Sequence, residues 1–227
     1  MTRLARSGRL RVGAAVVAVA AVVAAGTTSM IENAGSSAAF AHTPEVFAPS
    51  PQGRLPFPQA PGNGVCPRTA ADVHGWGAPS REWGFDSPAE LDRWWLYDGT
   101  GHAGNGVRTP KAISVADGTV VIAGDDWGNT GGMAPKGPGQ VHGRWEVCAR
   151  SSPVTDTFHA VLLLWPDADN WPVGGEIDFM EIIDPARNYV EVNFHYGPDD
   201  SFQTGVVGID ATGWHAWAVE WTPDRIA

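Results

Sequence analysis

The sequence is poor in charged residues and offers little positive charge to a partner. Of 227 residues, 15 are Lys or Arg and 25 are Asp or Glu, and the formal net charge is -10. Basic residues cluster only near the N-terminus, so nothing else provides the electrostatic surface that a polyanion needs. We therefore predict no nucleic-acid partner.

Signatures of several common enzyme classes are also missing. A Gly-x-Ser-x-Gly motif is absent, which argues against a serine esterase, and none of the 7 histidines are spaced like a pair of zinc ligands. Gly99, Gly101 and Gly104 have the spacing of a dinucleotide fingerprint, but no helix can begin soon after them. We predict a loop there and assign no cofactor and no metal. A structural calcium ion is left open, because no ligand set can be assigned to it.

Only two cysteines, Cys66 and Cys148, are present. In an exported protein an even pair is by default a disulfide, which would tie the start of the folded domain to a distant strand. Two unrelated buried thiols are the alternative.

The one long apolar run lies near the N-terminus and is too short for a membrane span. Residues 12–25 follow four arginines, and Ala39-Phe40-Ala41 has the small-x-small pattern of a cleavage site. The run falls short of the roughly 20 residues that cross a bilayer. We expect residues 1–41 to be a signal peptide, the mature protein to be secreted and no stable membrane span to remain. An uncleaved N-terminal anchor is the alternative.

Glycine and proline are abundant, with 28 and 18 residues, and tryptophan occurs 11 times. Such a composition favours turns and strands over helices. Residues 42–70 are rich in proline and lack hydrophobic periodicity, which predicts an extended leader or linker. Residues 71–227 fit one domain, since all-β sandwiches often contain about 200–250 residues.

One short helix is predicted near the start of this domain. Ser87 is a good N-cap, Pro88 suits the first helical position, and Glu90 completes a capping box. The helix would continue to about Trp95.

The rest of the domain consists of short strand-like runs separated by turn residues. Asp117-Gly118, between the first two runs, is a hairpin signal. Many short strands with Gly/Pro turns predict an all-β fold, an antiparallel β-sandwich. The predicted strands are Ile113–Val115, Thr119–Ile122, Gly143–Ala149, His159–Trp165, Glu176–Ile183, Tyr189–His195, Gly205–Ile209 and Trp214–Trp221.

An acidic motif, Glu-Ile-Asp-Phe-Met-Glu, begins at Glu176 in the middle of this pattern. Side chains alternate between the faces of a strand, so Glu176 and Asp178 share one face and the apolar residues enter the core. Glu181 would also point into the core unless one β-bulge near Phe179 or Met180 resets the phase. We therefore predict a bulged strand with three carboxylates on one face.

Three carboxylates in a row repel one another, and their chemistry offers two reasons for such an arrangement. A retaining glycosidase needs two carboxyl groups about 5–5.5 Å apart, one as nucleophile and one as acid/base. The Cα atoms of Glu176 and Glu181 would lie roughly 13 Å apart at ~3.3 Å per residue, and their side chains can close much of this distance. Asp178 between them could hold a shared proton, because crowding raises at least one pKa. A calcium site is the alternative, although carboxylates in line suit a groove better than an oxygen cage.

Tryptophan and histidine supply the remaining site candidates. Indole faces stack on the C–H surfaces of sugar rings, and Trp127, Trp165 and Trp171 lie nearest to the predicted loops. His195, on the strand after the acidic motif, could donate a hydrogen bond to a sugar or to a glutamate. Each of these four side chains is also a candidate for a purely structural role.

The order of the motifs resembles one known family. Trp-Pro-x-Gly-Gly-Glu-Ile-Asp-Phe-Met-Glu, which begins at Trp171, looks like the active-site strand of glycoside hydrolase family 16 in its bulged form. The flanking segments are similar to the family's neighbouring strands in the same order, so the resemblance covers residues 89–227. These segments are residues 142–146, 158–166, 193–197 and 214–224.

The resemblance implies a concanavalin-like β-jelly-roll whose concave face binds a polysaccharide. It also implies that Glu176 is the nucleophile, Asp178 its helper and Glu181 the acid/base. The bulged form is typical of members that cleave β-1,3-glucans and related chains. We accordingly expect a secreted, monomeric, retaining endo-β-glycosidase that hydrolyses a polysaccharide, with β-1,3-glucan as the favoured substrate.

Two features depart from the family pattern. Family members continue for several strands after the Trp-Thr-Pro-Asp run at residues 221–224, so we expect the jelly-roll to be truncated at its C-terminus. Cys148 replaces a residue that is not usually cysteine, which is consistent with a branch-specific disulfide. A lectin-like carbohydrate-binding domain without catalysis and an inactive fragment of the hydrolase are the alternatives.

Overall fold

The computed structural model describes residue 66, residues 68–154 and residues 158–227, together with the backbone alone of residues 17–23 and 45–46. The predicted cleavage site at Ala41 and most of the predicted leader, residues 42–70, lie outside the described residues. No helix among those described has the length and apolar character needed to cross a membrane.

The described chain is built mainly of strands. One α-helix, α1, covers Ala70–His74, and three 3₁₀-helices cover Pro88–Arg93, His102–Gly104 and Pro110–Ala112. The strands are β1 Val17–Val23, β2 Glu45–Val46, β3 Trp94–Leu96, β4 Gly99–Thr100, β5 Val107–Arg108, β6 Ile113–Ala116, β7 Thr119–Ile122, β8 Asn129–Thr130, β9 Gly132–Pro135, β10 Gly143–Ala149, β11 Phe158–Leu164, β12 Glu176–Ile182, β13 Tyr189–Tyr196, β14 Ser201–Gly208 and β15 His215–Trp221.

The largest sheet has eight strands in the order β2-β14-β13-β12-β11-β1-β9-β3. Neighbouring strands in it are antiparallel except β14 and β2, which are parallel. Smaller sheets pair β10 with β15, β6 with β7, and β4, β5 and β8 with one another. β12 therefore lies in the interior of the large sheet, between β11 and β13.

The main apolar core lies between the large sheet and the β10–β15 pair. Each large side chain buried there contributes about 1.5–3 kcal/mol. Two layers that enclose one core form a β-sandwich, so the predicted all-β antiparallel sandwich is confirmed. The core includes Trp145, Leu162, Leu164, Ile177, Phe179, Met180, Ile182, Val190, Trp217 and Val219.

A second apolar cluster joins β3, β6 and β9, where Trp94, Ile113 and Met133 are buried. The β6–β7 hairpin that borders it turns at Asp117 and Gly118, whose φ angles are 50° and 69°. Two positive φ angles are the mark of the type I′ turn that an Asp-Gly pair favours. The predicted hairpin is confirmed.

All eight predicted strands are found, and most of their ends agree to within one residue. The largest difference is in β14, which begins at Ser201 instead of Gly205. The sequence pattern did not predict seven strands, of which β1, β2, β3 and β9 belong to the large sheet and β4, β5 and β8 form a smaller one.

The predicted helix after Ser87 is a 3₁₀-helix and is shorter than expected. Ser87 caps it and accepts a 3.3 Å hydrogen bond from the backbone nitrogen of Ala89. The helix ends at Arg93 instead of continuing to Trp95, because Trp94 begins β3 and buries its side chain in the second apolar cluster. The predicted start of the helix is confirmed, and its end lies two residues earlier than predicted.

β1 joins the two parts of the large sheet. Its seven residues pair with β11 along their whole length, and Val19 and Ala20 also pair with β9. The strand belongs to the apolar run, residues 12–25, that predicts an export signal. In this position its backbone supplies hydrogen-bond partners to the facing edges of β9 and β11.

Cys66 and Cys148 form a disulfide bond across 82 positions of sequence. Cys66 lies shortly before α1, and Cys148 is on β10. Glu146 of the same strand accepts hydrogen bonds from the backbone nitrogens of Ala70 and Ala71. The beginning of the domain is thus attached to the smaller layer by a covalent link and a polar one.

Candidate active site

The acidic motif lies on β12, and the register of its neighbours locates the bulge. On the β11 side, Leu162 faces Met180 and Leu163 faces Asp178, so β12 has one extra residue there. On the β13 side, the same extra residue falls between Asp178 and Glu181. The predicted β-bulge is confirmed, and it returns Glu181 to the face that carries Asp178.

Side chains of β13 complete this face. Directly opposite residues on neighbouring antiparallel strands have Cβ atoms roughly 5 Å apart, so each acid of β12 has a polar neighbour across the strand. We call this set the acidic face. Its cross-strand pairs are Glu176–His195, Asp178–Asn193 and Glu181–Glu191.

Asp178 is the most buried of the three motif acids, with 5% of its surface exposed. Burial, followed by the charges of Glu176 and Glu181, raises the pKa of Asp178 from 3.8 to about 9. A hydrogen bond with Glu176 acts in the same direction. Asp178 Oδ1 is buried with no hydrogen-bond partner among the described side chains, which suits a carboxyl group that keeps its proton. A pKa raised in this way favours the protonated, neutral form of Asp178 at pH 7.

Glu176 accepts the hydrogen bond that the protonated Asp178 donates. Burial raises the pKa of Glu176, while the charge of His195 and hydrogen bonds from Asp178 and Trp171 act to lower it. The same hydrogen bond raises the pKa of one acid and lowers that of the other, so it separates their protonation states. Adjacent carboxyl groups in different charge states are what acid/base and nucleophilic chemistry at neutral pH require.

Glu181 is held from the side of β13 and β14. Asn193 donates a 2.7 Å hydrogen bond from Nδ2 to Glu181 Oε2, and Thr204 donates a 2.6 Å hydrogen bond from Oγ1 to Asn193 Oδ1. His159 Nδ1 lies 3.9 Å from Glu181 Oε1. Burial lowers the pKa of His159, and burial followed by the charge of Glu181 raises the pKa of Glu191. Glu181 thus has an oriented amide on one side and a weakly basic histidine on the other.

His195 lies between two carboxyl groups. Its Nδ1 is 2.8 Å from Asp200 Oδ1, and its Nε2 is 3.8 Å from Asp178 Oδ2. The Phe202 ring stacks on the imidazole with centroids 5.7 Å apart, and the Trp171 ring lies 6.4 Å away. These contacts fix both the position and the plane of the histidine ring.

Two of the four side chains predicted to contact a substrate, His195 and Trp171, lie at the acidic face. Trp171 is 43% exposed and sits beside His195. Trp165 follows β11 directly, packs on apolar side chains of that strand and donates a 2.8 Å hydrogen bond to Asp169. Trp127 is 88% exposed between β7 and β8, and no contact recorded among the described residues joins it to the acidic face.

Among the described residues, one cluster has the geometry to hold a cation. Single ligand atoms of Glu176, Asp178 and His195 lie within 4.8 Å of one another. Calcium takes about 6–8 oxygen ligands and prefers charged ones. A neutral Asp178 and a histidine nitrogen fit that preference poorly, so the cluster suits proton sharing better than calcium binding.

A cavity of ≈ 370 Å³ opens elsewhere, on the layer formed by β10 and β15, and Trp76 and Glu220 contribute to its lining. Glu220 accepts hydrogen bonds of 2.6 Å from Arg144 and 2.8 Å from Arg225. These bonds lower the pKa of Glu220, so it is not suited to donate a proton. The acidic face remains the better candidate for chemistry.

Several polar residues of the site were not singled out from the sequence: His159, Glu191, Asn193, Asp200 and Thr204. Every second position of β13 carries a polar residue of the site: Glu191, Asn193 and His195. A period-two pattern would therefore have found the first two once β13 was placed beside β12. Asp200 carries no such signal. It lies in the turn after β13, and the conformation of that turn brings its side chain back to His195 of the same strand.

No protein-family model matches the sequence, and no curated protein is similar to it in sequence. Solved structures resemble the fold. One belongs to a study in which prominent members of the human gut microbiota express endo-acting O-glycanases to initiate mucin breakdown. It has 24% identity and a TM-score of 0.53, over 63% of this chain and 64% of that one.

Laminarinases are also among the similar structures. The laminarinase catalytic domain from Thermotoga maritima MSB8 has 21% identity and a TM-score of 0.53, over 63% of this chain and 69% of that one. The laminarinase from Rhodothermus marinus has 22% identity and a TM-score of 0.52, over 63% and 67%. The chain spans about two thirds of these proteins, and at these identities the likeness establishes a shared β-sandwich fold.

Proposed function

We propose that this protein is a retaining endo-β-glycosidase that hydrolyses a polysaccharide, with β-1,3-glucan as the favoured substrate. The observation that carries the proposal is the row of three acids on one face of a bulged strand, in which the buried Asp178, with its raised pKa, lies between two glutamates. A single charge shared by adjacent carboxyl groups suits a nucleophile and its helper. A third carboxyl group farther along the strand suits an acid/base.

In the first step, Glu181 donates a proton to the glycosidic oxygen while Glu176 attacks the anomeric carbon. The carbon–oxygen bond to the leaving sugar breaks, and an ester bond to Glu176 forms. In the second step, Glu181 takes a proton from water, and the water oxygen displaces Glu176. Two displacements at the same carbon retain its configuration.

Asp178 assists by keeping its proton throughout this cycle. Because it is neutral, it donates a hydrogen bond to Glu176 without adding a second negative charge beside it. Burial of both groups strengthens this interaction, since a site of low polarity screens charges weakly. This hydrogen bond favours the charged form of the nucleophile, against the effect of burial.

Exposed and half-buried aromatic rings supply a surface for sugar units. Trp171 is exposed next to His195, and Trp165 extends the same side of the sheet from the end of β11. Indole rings offer large, rigid faces with a polar edge. Trp127 stands apart from the acids, so it would contact a sugar unit remote from the bond that is cleaved.

The choice of a β-1,3-glucan rests on two supports. The bulged Glu-x-Asp-x-x-Glu strand resembles that of glycoside hydrolase family 16 members that act on β-1,3-glucans and related chains. Laminarinases are among the structures with a similar fold. We further propose that the chain is exported through its N-terminal segment and acts outside the cell as a monomer.

The decisive experiment compares wild-type protein with Glu176→Gln on laminarin. Reducing-end release measures hydrolysis, and affinity electrophoresis measures polysaccharide binding. We expect Glu176→Gln to lose turnover by at least about 10⁴-fold and to keep binding, since its shape is conserved. Glu82→Gln, at an exposed position, is the matched control and should behave as wild type.

Two outcomes would reject the proposal. Retention of laminarin and of a panel of other polysaccharides without product release by wild type would favour a lectin-like binding domain. Normal hydrolysis by Glu176→Gln would remove the nucleophile assignment. The anomer formed first, followed by proton NMR, tests retention separately.

A further inference from the structure

The turn between β13 and β14 brings Asp200 back against the last part of β13. Its backbone nitrogen donates a 3.4 Å hydrogen bond to Gly197, and its φ angle is 52°. In this left-handed conformation the Asp200 carboxylate meets His195 Nδ1 at 2.8 Å. Asp199, its neighbour, accepts a 2.9 Å hydrogen bond from Ser201 instead. The turn therefore gives its two acids different partners.

Asp200, His195 and Asp178 form a continuous line that ends at Glu176. The imidazole contacts Asp200 through one nitrogen and faces Asp178 through the other, at 2.8 and 3.8 Å. Asp178 in turn shares a hydrogen bond with Glu176. Phe202 stacks on the imidazole and holds the plane of the ring. The described titratable groups that face the ring are thus Glu176 and Asp178 from β12 and Asp200 from the turn.

A carboxylate only accepts hydrogen bonds, and this property selects the tautomer of the histidine. With Asp200 at 2.8 Å, the proton of a neutral imidazole belongs on Nδ1. Nε2 then presents a lone pair to Asp178, whose carboxyl group carries a proton. The Asp178 carboxyl group therefore faces two acceptors, Glu176 on its own strand and, 3.8 Å away on the next strand, His195 Nε2.

We propose that Asp200 is a positioning residue that fixes the tautomer of His195. His195 Nε2 thereby becomes an alternative hydrogen-bond acceptor for the carboxyl group of Asp178. The role in turnover rests on the proposed glycosidase function; the tautomer does not. When Glu176 forms its ester bond, it loses the charge that holds the Asp178 hydrogen bond. His195 Nε2 then accepts this bond, and the bond returns to Glu176 when water releases the sugar.

The test compares Asp200→Asn with Asp199→Asn in the complete chain. Asparagine tolerates positive φ, so both variants should fold, and circular dichroism checks this. An asparagine amide can donate to Nδ1, which removes the preference for a proton there. Nitrogen-15 NMR of the ring should show a protonated Nδ1 and a bare Nε2 in wild type and Asp199→Asn. Asp200→Asn should shift both signals toward the other tautomer.

Kinetics on laminarin oligosaccharides supply the second readout. We expect Asp200→Asn to lower kcat by about tenfold with little change in KM. In a plot of kcat/KM against pH, the acid limb should also shift in this variant. Asp199→Asn should leave both unchanged. Identical ring signals in the two variants would overturn the proposal, whatever the activity. A wild-type protein that hydrolyses nothing would instead overturn the proposed function, and the NMR comparison would still decide the role of Asp200.

Discussion

Asn193 donates a 2.7 Å hydrogen bond to Glu181 from the neighbouring strand, and it does so across the site of the bulge. A bulged strand gains a change of phase but loses regular pairing at that point. The amide of Asn193 therefore replaces a backbone ladder as the element that orients Glu181. Its own orientation depends on the hydroxyl group of Thr204, which occupies the carbonyl oxygen.

This relationship predicts that Asn193→Ala lowers kcat by about 10²-fold, the loss expected when a catalytic group is displaced by about 1 Å. KM should change little, because the amide contacts the enzyme's own carboxylate. Steady-state kinetics on laminarin oligosaccharides measure both constants. A KM that rises while kcat stays constant would show that Asn193 binds substrate instead of orienting Glu181.

Substitution of Thr204 isolates the second link in this chain of hydrogen bonds. Thr204→Val keeps the shape but removes the donor, so the Asn193 amide is free to turn over. We expect a loss in kcat of about fivefold, which corresponds to one ordinary hydrogen bond of about 1 kcal/mol. Thr204→Ser, which retains the hydroxyl group, is the control and should keep most of the activity. Equal losses in both variants would assign the effect to packing.

The raised pKa of Asp178 predicts how stability depends on pH. Between pH 3.8 and about 9 the folded protein holds a proton on Asp178 that the unfolded chain has released. The free energy of unfolding therefore falls as pH rises through this window, by at most about 1.4 kcal/mol per pH unit from this group. Asp178→Asn removes the titrating group, so its stability should decline less over the same range. Denaturant unfolding from pH 4 to 9 measures the difference, and Asp224→Asn, at an exposed position, should follow wild type.

Arg187 predicts a large loss of stability on substitution. It is 1% exposed and donates hydrogen bonds to the backbone oxygens of Ser152, Phe158, Ile182 and Asp184. Because these oxygens include the start of β11 and the end of β12, one guanidinium ties the two strands together. Arg187→Met should destabilise the protein by about 3 kcal/mol or more.

The control for this prediction is Arg225→Met. Arg225 has 65% of its side chain exposed, and its guanidinium donates a 2.8 Å hydrogen bond to Glu220. An exposed ion pair of this kind contributes about 0–1 kcal/mol. Urea unfolding of both variants provides the comparison. Similar midpoints for the two would show that burial of Arg187 carries no special energetic weight.

The disulfide makes a separate prediction. Replacing both Cys66 and Cys148 with serine removes a link across 82 positions of sequence. The loss should be about 2–4 kcal/mol in the free energy of unfolding. Turnover per folded molecule should be unchanged, because Cys148 is on β10 and the acids are on β12 of the other layer. Loss of turnover at full folding would place the disulfide in control of the site.

The strands that could be predicted are those whose alternation is complete. β10 and β15 place large apolar residues on one face at every second position, β12 does so as far as its bulge, and this pattern is enough to predict them. β9 could not be predicted, because Gly132 and Pro135 are residue types that argue against a strand. All four of its residues are buried, so no alternation of polar and apolar residues marks it. The first residues of β3 were assigned to a helix, because a strand of three residues is too short to show an alternating pattern.

The candidate site divides in the same way. The bulge could be predicted, because a charged Glu181 cannot be left in an apolar core. The residues that surround the motif could not, because their placement depends on the order β11-β12-β13-β14 in the sheet. Thr204 is 23 positions beyond Glu181 in the sequence and reaches it only through Asn193. Local patterns contain no information about such a contact.

The bulge of β12 is one amino acid, and in the gene it is one codon. Deleting Met180 would give Glu-Ile-Asp-Phe-Glu, in which all three acids still fall on one face of an unbroken strand. The outer two acids would still be four strand positions apart, about 13 Å, but the local bend that the bulge gives to the strand would be lost. Deleting two residues would instead turn the last glutamate into the core. A lineage can therefore gain or lose the bulge through one codon without moving any of the three acids to the other face of the strand.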